Sequence, residues 1–243
     1  MIDFEIKMNT LPLVEIAPKL IELDSTDFIW ENLSGIDEIQ YFWLGRQSYQ
    51  PMWELQKQLH AKRVSREIPD VVLLVEHEHV YTFGKNADTN NLLNSNQRNA
   101  EVVQIERGGE VTYHGPGQLV CYPIIDLHGY KMSVSWYMRM LENVVIDCLQ
   151  SYGIESGRKE GLTGVWVGDE KICAMGVRLS RWVTMHGFAL NVNPDLSFYD
   201  GIIPCGIFHC GVTSMEQLLG IKQDMEEVKQ TAIEKYNHHF LRV

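Results

Sequence analysis

Short apolar runs and longer amphipathic segments alternate along the chain from residue 39 onward. Residues 71–77 (VVLLVEH) are apolar and β-branched and follow Pro69-Asp70, a pattern that predicts a buried strand. Residues 164–177 predict a hairpin that turns at Gly168-Asp169. Further strands are predicted at residues 80–84, 102–106, 119–125 and 182–193.

Apolar residues spaced three and four apart predict helices between and after these strands. One helix begins at Pro51 and carries Met52, Leu55 and Leu59 on one face. A second begins at Ser133 or Ser135, with an apolar face of Val134, Tyr137, Leu141, Val144 and Cys148. The last two begin at Thr213 or Ser214, ending at Gly220, and at a capping box of Asp224 and Glu227. These elements predict an α/β (α+β) fold in which helices flank a mixed β-sheet.

Charge and periodicity divide the chain into two parts. Acidic residues far outnumber Lys7 and Lys19 in residues 1–40, where the apolar periodicity is also weak. We therefore expect residues 1–37 to be an acidic N-terminal extension. Residues 38–243 are expected to form a single domain, because a chain of this length can build one core without metal or disulfide support.

The composition is that of an acidic globular protein. The 243 residues carry a net charge of −11, and 45% of them are hydrophobic. Nucleic acid is disfavoured as a partner because binding to its phosphates depends on clustered Lys and Arg. No apolar run approaches the roughly 20 residues that span a bilayer, and the first residues lack the features of a secretory signal. We expect a cytosolic protein that does not bind membranes and keeps its thiols reduced.

The cysteines do not form a recognisable structural pattern. They are Cys121, Cys148, Cys173, Cys205 and Cys210, an odd number with no C-x-x-C pair. Neither a disulfide framework nor a zinc finger is therefore predicted. Cys205, His209 and Cys210 resemble half of a metal site, but a second pair of ligands is missing, and no metal is expected.

A glycine-rich segment at residues 107–123 (RGGEVTYHGPGQLVCYP) is the most informative part of the chain. Its glycines, Gly108, Gly109, Gly115 and Gly117, let a ligand approach the backbone, and exposed N–H groups in such a loop can hold a carbonyl or an anion. Arg107 and His114 add donors, and Tyr113 adds an aromatic wall. A long connection without function is the alternative interpretation.

The motifs of nucleotide-binding loops and serine hydrolases are absent, which leaves cysteine as the natural nucleophile. Cys205 lies between Pro204 and Gly206 in a predicted loop. Cys173 follows Lys171 by two residues, so a regular strand would place both on one face. A nearby ammonium favours the thiolate and can also exchange protons with the reacting groups. The residues alone leave both cysteines as candidates, with a structural hairpin lysine as the alternative for Lys171.

At residues 107–127 (RGGEVTYHGPGQLVCYPIIDL) the chain resembles the lipoyl(octanoyl) transferases. The resemblance continues in order through LVEHEHVYTFG (74–84), GLTGVWVGDEKICAMGVRL (161–179), MHGFALNVNPDLSFYDGIIPCGI (185–207) and GVTSM (211–215). It implies the fold of lipoate and biotin protein ligases, a mixed sheet flanked by helices in one catalytic domain. It also selects Cys205, in the P-C-G motif, as the cysteine that carries the acyl thioester, and Lys171 as the residue that lowers the pKa of the thiol.

The resemblance implies a binding site made of three stretches. They are Arg107, Gly108, Gly109, Glu110, Val111, Thr112, Tyr113 and His114; Ala174, Met175 and Gly176; and Gly187, Phe188 and Ala189. Position 110 varies within the family, so the carboxylate of Glu110 is weak evidence for a specific role in binding. Gly176 and Gly187 are expected to let the acyl chain lie close to the backbone.

The implied reaction is a two-step acyl transfer in protein lipoylation. Cys205 takes the octanoyl group from octanoyl-acyl-carrier protein, and a lysine of a lipoyl domain then attacks the acyl-enzyme. The implied acceptors are the lipoyl domains of 2-oxoacid dehydrogenases and the H protein of the glycine cleavage system. The conversion of a thioester into an amide is energetically favourable, so no nucleotide or other cofactor is expected. An ATP-dependent lipoate-protein ligase, a lipoyl-domain amidotransferase and a non-catalytic lipoyl-domain binder are the alternatives.

Acyl carrier proteins are strongly acidic, as is this chain, so attraction between them would need a local basic face. The densest basic stretch lies on the helix that begins at Pro51 and comprises Lys57, His60, Lys62, Arg63 and Arg66. We expect this face to help dock the carrier. A solvated helix face without a partner is the alternative.

Overall fold

The computed structural model of the chain describes residues 18–23, 26, 29–33, 38–85, 87, 91, 100–202 and 211–241. Within them the strands are β1 Leu20–Glu22, β2 Gln40–Gln47, β3 Val71–His77, β4 Val80–Phe83, β5 Glu101–Gln104, β6 Thr112–His114, β7 Gln118–Ile124, β8 Gly157–Lys159, β9 Leu162–Val167, β10 Glu170–Ser180, β11 Val183–Asn191 and β12 Gly211–Val212. The helices are α1 Ile29–Asn32, α2 Tyr49–Val64, α3 Val134–Gln150, α4 Met215–Leu219 and α5 Met225–His239.

A large mixed sheet runs through the centre of the described part of the chain. Its strands follow the order β1-β2-β3-β7-β11-β10-β9-β8, and β12 pairs with β10. The pairs β1–β2, β2–β3 and β10–β12 are parallel, whereas β3–β7, β7–β11, β11–β10, β10–β9 and β9–β8 are antiparallel. Helix α2 packs on one face of this sheet and helices α3 and α5 on the other. The predicted fold class is therefore confirmed.

Strand β3 shows why the apolar run at residues 71–77 is continuous. Val72 and Leu74 pack into the core beneath α3 and α5, while Leu73 and Val75 pack into the core beneath α2. A strand that is covered on both faces needs apolar side chains at every position rather than at alternate ones. The predicted strand and the observed one have the same bounds.

A small second sheet, in the order β5-β4-β6, was only partly predicted. The strands at residues 80–84 and 102–106 agree with β4 and β5 within two residues. β6, however, lies inside the glycine-rich segment that the sequence suggested was a loop. Three residues are too few to show a periodic pattern, and β6 is a strand because it pairs with β4.

Local capping interactions explain the predicted helix starts. The backbone N–H of Trp136 donates to Ser133 Oγ at the start of α3, and that of Gln217 donates to Ser214 Oγ at the start of α4. Asp224 caps α5 by accepting from the N–H of Glu226. Val134 was expected on the apolar face of α3 but is 48% exposed, because the first turn of the helix extends past the core.

Part of the predicted N-terminal extension belongs to the fold. Leu20–Glu22 form the edge strand β1 beside β2, and the Glu22 carboxylate pairs with the buried ammonium of Lys229 on α5 at 3.0 Å. The side chain of Ile29 is completely buried in the core beneath α2. The predicted boundary at residue 37 therefore does not separate these described residues from the domain. The remainder of the predicted division, an acidic extension before residue 38 and a single domain after it, stays a prediction.

Arg63 is a structural residue, which corrects the predicted docking face on α2. Its side chain is 8% exposed, and its Nε donates to Asp70 Oδ1 at 2.6 Å. The same Asp70 carboxylate accepts from the backbone N–H of Asp126 and from the hydroxyl of Tyr130. Of the remaining basic residues, Lys57 and Lys62 pair with Glu54 and Glu67. Arg63 is therefore not part of the exposed face of α2. The charges of Lys57 and Lys62 on that face are offset by the neighbouring carboxylates.

Arg63→Met is expected to lower the free energy of unfolding by about 3–5 kcal/mol, because it leaves the buried Asp70 carboxylate without its cation. Urea denaturation measures this difference. Arg66→Met is the matched control, since Arg66 is exposed, and it should change the value by less than about 0.5 kcal/mol. Equal, small losses in the two variants would contradict a structural role for Arg63.

Candidate active site

A cavity of about 260 Å³ lies between the main sheet, on the face that α2 covers, and the small sheet with the loop before β6. The main sheet contributes Val120, Tyr122, Ala174, Met175, Gly176, Gly187, Phe188 and Ala189. The loop and β6 contribute Arg107, Gly109, Glu110, Val111, Thr112 and His114. Three stretches that are far apart in the sequence thus meet around one space. That they bind a substrate stays a prediction.

The floor of the cavity is made of small residues in neighbouring strands. Ala174 of β10 pairs with Ala189 of β11, and Ala189 pairs in turn with Val120 of β7. Two residues further along, Gly176 pairs with Gly187. Because residues two apart on a strand share a face, these positions form a lane without bulky side chains.

The glycines in this lane are required by the packing of the protein itself, and that they also let an acyl chain lie close to the backbone stays a prediction. A Cβ at Gly187 would lie 2.1 Å from the carbonyl oxygen of Cys121 on β7, and one at Gly176 would lie 2.9 Å from the oxygen of Gly108. The neighbouring backbone therefore approaches both positions too closely for any side chain. Both glycines also line the cavity.

Lys171 lies at one end of the lane and lines the cavity. Its side chain is 9% exposed, and its Nζ lies 4.7 Å from the centre of the Trp166 ring on β9. The backbone N–H of Thr213 donates to the Lys171 carbonyl at 3.1 Å, which ties β12 to this position. The lysine is thus enclosed by protein and directed towards the cavity rather than towards bulk water.

A β-bulge separates Lys171 from Cys173, so the expectation that they share a face is wrong. Lys171 is opposite Trp166 and Cys173 is opposite Val165, which leaves Ile172 as an extra residue on β10. Lys171 lines the cavity, whereas Ile172 and Cys173 are both part of the main core beneath α3. Burial also raises the pKa of the Cys173 thiol well above its usual value. These facts remove Cys173 as a candidate nucleophile.

The other cysteines within the described residues are equally unsuited to nucleophilic attack. Cys121 and Cys148 are buried, and desolvation raises the pKa of both thiols, that of Cys148 to about 12. Cys205 and Cys210 lie outside the described residues, as does His209.

Cys205 lies in residues 203–210, and the described residues on either side of this segment are anchored near Lys171. On one side Tyr199, shortly before the segment, donates its hydroxyl to Asn191 Oδ1 on β11. On the other side Asn191 Nδ2 donates to the carbonyl of Thr213, just after β12. Tyr199, Gly211 and Val212 all line the cavity. Chain elements on either side of residues 203–210 therefore meet the cavity at its Lys171 end.

Arg107 holds the loop before β6 in place rather than only offering donors to a ligand. Its Nη2 donates to the carbonyl and the hydroxyl of Thr82 at 2.8 and 3.0 Å, and its Nη1 donates to the carbonyl of Gly108 at 3.0 Å. The guanidinium thus ties the glycine-rich loop to β4 while lining the cavity.

Two of the predicted binding residues do not line the cavity. The N–H of Gly108 donates to the Val177 carbonyl on β10, so this glycine connects the loop to the main sheet. The ring of Tyr113 is buried, stacks on Phe198 and shares a hydrogen bond of 2.7 Å with His79 Nδ1. Both residues support the cavity wall from behind.

Two buried, neutral histidines lie at the cavity, His114 in its wall and His77 behind it. His114 Nδ1 donates to Gln118 Oε1 at 2.7 Å, and its ring stacks on Tyr49. His77 Nδ1 donates to the Gln47 carbonyl, so its Nε2 accepts from the hydroxyl of Tyr122. Desolvation lowers the pKa of His77 to about 4 and, together with repulsion by His77, that of His114 to about 3. Both rings therefore act as uncharged hydrogen-bonding groups.

Several lining residues were not among the predicted site residues. They include Tyr49, Tyr122, Trp166, His186, Asn191 and Tyr199. Tyr49 begins α2 and Tyr122 lies within an apolar strand, so each looked like an ordinary core residue. The sequence MHGFALN around His186 belongs to a segment that carried the family resemblance, which was the only pointer to it.

No three His, Cys, Asp or Glu side chains of the described residues lie close enough together to hold a metal ion. Likewise, no helix within the described ranges has the length and apolar character required to cross a bilayer.

Comparison with known proteins identifies the family. Residues 48–237 match the model of the lipoyl protein ligase A/B catalytic domain. The octanoyltransferase of Flavobacterium johnsoniae is 49% identical over 84% of this chain and 97% of its own length. The octanoyltransferase of Solibacter usitatus is also 49% identical, over 82% of this chain and 90% of its own.

The likeness to solved structures concerns the fold. A bi-partite lipoate protein ligase of Thermoplasma acidophilum superposes with a TM-score of 0.62 at 15% identity, over 85% of this chain and 84% of that one. The family resemblance seen in the glycine-rich segment and the P-C-G motif is confirmed by these comparisons. This chain belongs to the octanoyltransferase family of acyltransferases, which carry the lipoyl protein ligase A/B catalytic domain.

Proposed function

We propose that this chain moves an octanoyl group from octanoyl-acyl-carrier protein to a lysine of a lipoyl domain through a thioester on Cys205. One observation carries the proposal: Lys171 faces a cavity that is also lined by residues on both sides of the segment containing Cys205. Every cysteine in the described ranges is buried away from that cavity. The octanoyltransferase relatives favour acyl transfer over an ATP-dependent ligase, because the ligases resemble this chain in fold alone.

The first half-reaction forms the acyl-enzyme. Lys171 takes the proton of Cys205, and the thiolate attacks the carbonyl of the octanoyl thioester. The new carbon–sulfur bond forms as the old one breaks, and the Lys171 ammonium gives its proton to the departing carrier thiolate. Backbone N–H groups near the lane of glycines are candidates for holding the oxyanion.

The second half-reaction releases the product. The amine of the acceptor lysine attacks the octanoyl-Cys205 thioester and gives a proton to the neutral Lys171. Collapse of the tetrahedral intermediate forms the amide bond and expels the Cys205 thiolate beside the Lys171 ammonium, which restores the starting pair. Since a thioester is exchanged for an amide, the cycle needs no nucleotide.

The proposed acceptors are lipoyl domains of 2-oxoacid dehydrogenases and the H protein of the glycine cleavage system. The Thermoplasma acidophilum lipoate protein ligase, which shares the fold, is described together with its E2 lipoyl domain. The acceptor lysine must reach the cavity from the Lys171 end, where the thioester would lie.

Intact-mass spectrometry tests the covalent intermediate. The wild-type protein mixed with octanoyl-acyl-carrier protein is expected to gain the mass of one octanoyl group, located on Cys205 by peptide mapping. The Cys205→Ser variant should gain none. Adding apo lipoyl domain without ATP should then transfer the group to its lysine. Acylation confined to another cysteine, or transfer that requires ATP, would contradict the proposal.

A further inference from the structure

His186 breaks the regular geometry of β11. Its φ is +61°, a value that residues other than glycine rarely adopt and that is unfavourable for a side chain with a Cβ. Regular alternation would place His186 on the same face as Phe188 and Leu190, which are both in the core beneath α3. Instead the imidazole lines the cavity and meets the ring of Tyr122 edge-on. The unusual backbone therefore turns the side chain into the cavity.

The surroundings hold the ring there. The backbone N–H of His186 donates to Gln56 Oε1 of α2 at 3.0 Å, which fixes the backbone at this point. The residue is 1% exposed, and neither ring nitrogen has a hydrogen-bond partner among the described residues. Burial, followed by the nearby Arg107 and Arg178, lowers the pKa of the ring to about 3, so it is neutral. It thus offers one donor and one acceptor to the cavity.

Buried polar atoms of this kind require a partner. Since the ring lines the cavity, a molecule within the cavity can supply it, and water is the smallest that fits. An alkyl chain cannot, because methylene groups neither donate nor accept hydrogen bonds. The cavity therefore changes character at His186, from the apolar lane to a polar end.

The position of this polar end follows from the strand register. His186 pairs with Val177, six residues along β10 from Lys171. One of those residues is the bulge residue Ile172, so the Cα atoms at the two ends of the lane are about 17 Å apart at roughly 3.3 Å per regular step. The Lys171 side chain leans along the lane towards His186, since its Cε lies 3.4 Å from the position of a Cβ on Gly164, and this shortens the space left for an acyl chain. Between them the floor consists of the alanine and glycine pairs described above. An acyl group whose carbonyl lies beside Lys171 would run along this floor, with its methyl end directed towards His186.

We propose that His186 is a specificity-determining residue that limits the length of the acyl chain. This inference rests on the proposed function. A chain that ends short of the imidazole leaves the ring nitrogens to water. A longer chain must displace that water and press methylene groups against two nitrogen atoms that then have no partner. Longer chains are therefore rejected by polarity as well as by space.

Competition between octanoyl- and decanoyl-acyl-carrier protein tests the proposal, with the two products on the lipoyl domain quantified by mass spectrometry. The wild-type protein is expected to favour octanoyl. His186→Phe retains a ring of similar size but lacks both nitrogens, and it should raise the decanoyl-to-octanoyl ratio of kcat/KM by tenfold or more. His186→Asn retains polar atoms and tolerates a positive φ. It should keep a ratio within about threefold of the wild-type value.

The two variants separate polarity from space. If space alone set the limit, the smaller asparagine would raise the ratio and phenylalanine would not, which would overturn the proposal. An unchanged ratio in His186→Phe, or no preference in the wild-type protein, would overturn it as well. A wild-type protein that transfers neither acyl group would instead contradict the proposed function.

A second measurement does not depend on the folding of the variants. In wild-type protein labelled with ¹⁵N-histidine, acylation of Cys205 with decanoyl should shift the ring signals of His186 more than acylation with octanoyl. Assignment uses the loss of one signal set in His186→Asn. Equal shifts, or none with either chain, would show that the acyl end does not reach the ring.

Discussion

Replacing Lys171 by methionine is expected to lower kcat/KM for octanoyl transfer by about 10²–10⁴-fold, the usual contribution of a positioned acid–base group. Methionine preserves the length and apolar stem of the side chain but removes the ammonium. A free thiol has a pKa near 8.5, so only a few per cent of it is thiolate at neutral pH. Without Lys171, Cys205 would lose both the cation that favours its thiolate and the proton donor for the departing thiol.

The pH dependence distinguishes this role from a structural one. In the variant, the rate of Cys205 acylation should rise about tenfold per pH unit between pH 6 and 8, because it follows the thiolate fraction of an ordinary cysteine. The wild-type protein should reach its plateau at lower pH. The two profiles are measured by rapid quenching and intact-mass spectrometry.

Lys159→Met is the matched control. The Lys159 ammonium also lies over the Trp166 ring, at 5.0 Å, but it pairs with Asp169 and does not line the cavity. Its replacement should leave acylation within a factor of about three of the wild-type rate, as expected for a surface change. If both variants lose activity equally, Lys171 acts through the packing of Trp166 and not through its charge.

Acidification from pH 7 to 5 is expected to lower the free energy of unfolding by about 5 kcal/mol, a large part of the total for a typical domain. The cause is the set of buried histidines around the cavity. Desolvation lowers the pKa of His77 to about 4, and the pKa values of His114 and His186 to about 3. In the unfolded chain each titrates near 6.5.

The direction of this pH effect on stability follows from the protons that the unfolded chain takes up. Between pH 6.5 and the depressed values, the unfolded chain binds protons that the folded protein excludes. Stability therefore rises with pH through this window and is lost as pH falls. Each buried histidine contributes up to about 1.4 kcal/mol per pH unit.

Urea denaturation at pH 7, 6 and 5 measures this dependence. His114→Gln, which keeps a hydrogen-bonding side chain, should reduce the slope by about a third, since one of three protons is then missing. His238→Gln, at an exposed position on α5, should leave the slope unchanged. Equal stability at pH 7 and 5 in the wild-type protein would show that these histidines are solvated.

Where predictions from sequence succeeded, the governing interactions are local or repeat along an element. Ser133, Ser214 and Asp224 cap their helices through backbone groups two or three residues away. The turn at Gly168-Asp169 lies between β9 and β10 as expected. The family motifs also located the stretches that meet at the cavity, because each contributes several neighbouring residues to it.

Where predictions failed, a partner outside the predicted element decided the outcome. Arg63 looked like one more basic residue on a solvated face of α2, but it pairs with Asp70, which precedes β3. Strand β6 exists because it pairs with β4, and β1 joins the sheet because β2 offers it an edge. None of these partners can be read from the segment in which the residue itself lies.

The amino-acid sequence by itself determined most of the strand and helix pattern from α2 onward, apart from the short strands β6, β8 and β12, together with the family and the stretches that supply the cavity. These depend on periodicity, capping and motifs, which are carried by residues close together in the chain. Only the tertiary structure decided that a bulge at Ile172 separates Lys171 from Cys173, and that a positive φ turns His186 into the cavity. The directions of those side chains depend on pairing between strands, and alternation along one strand predicts the wrong face for both.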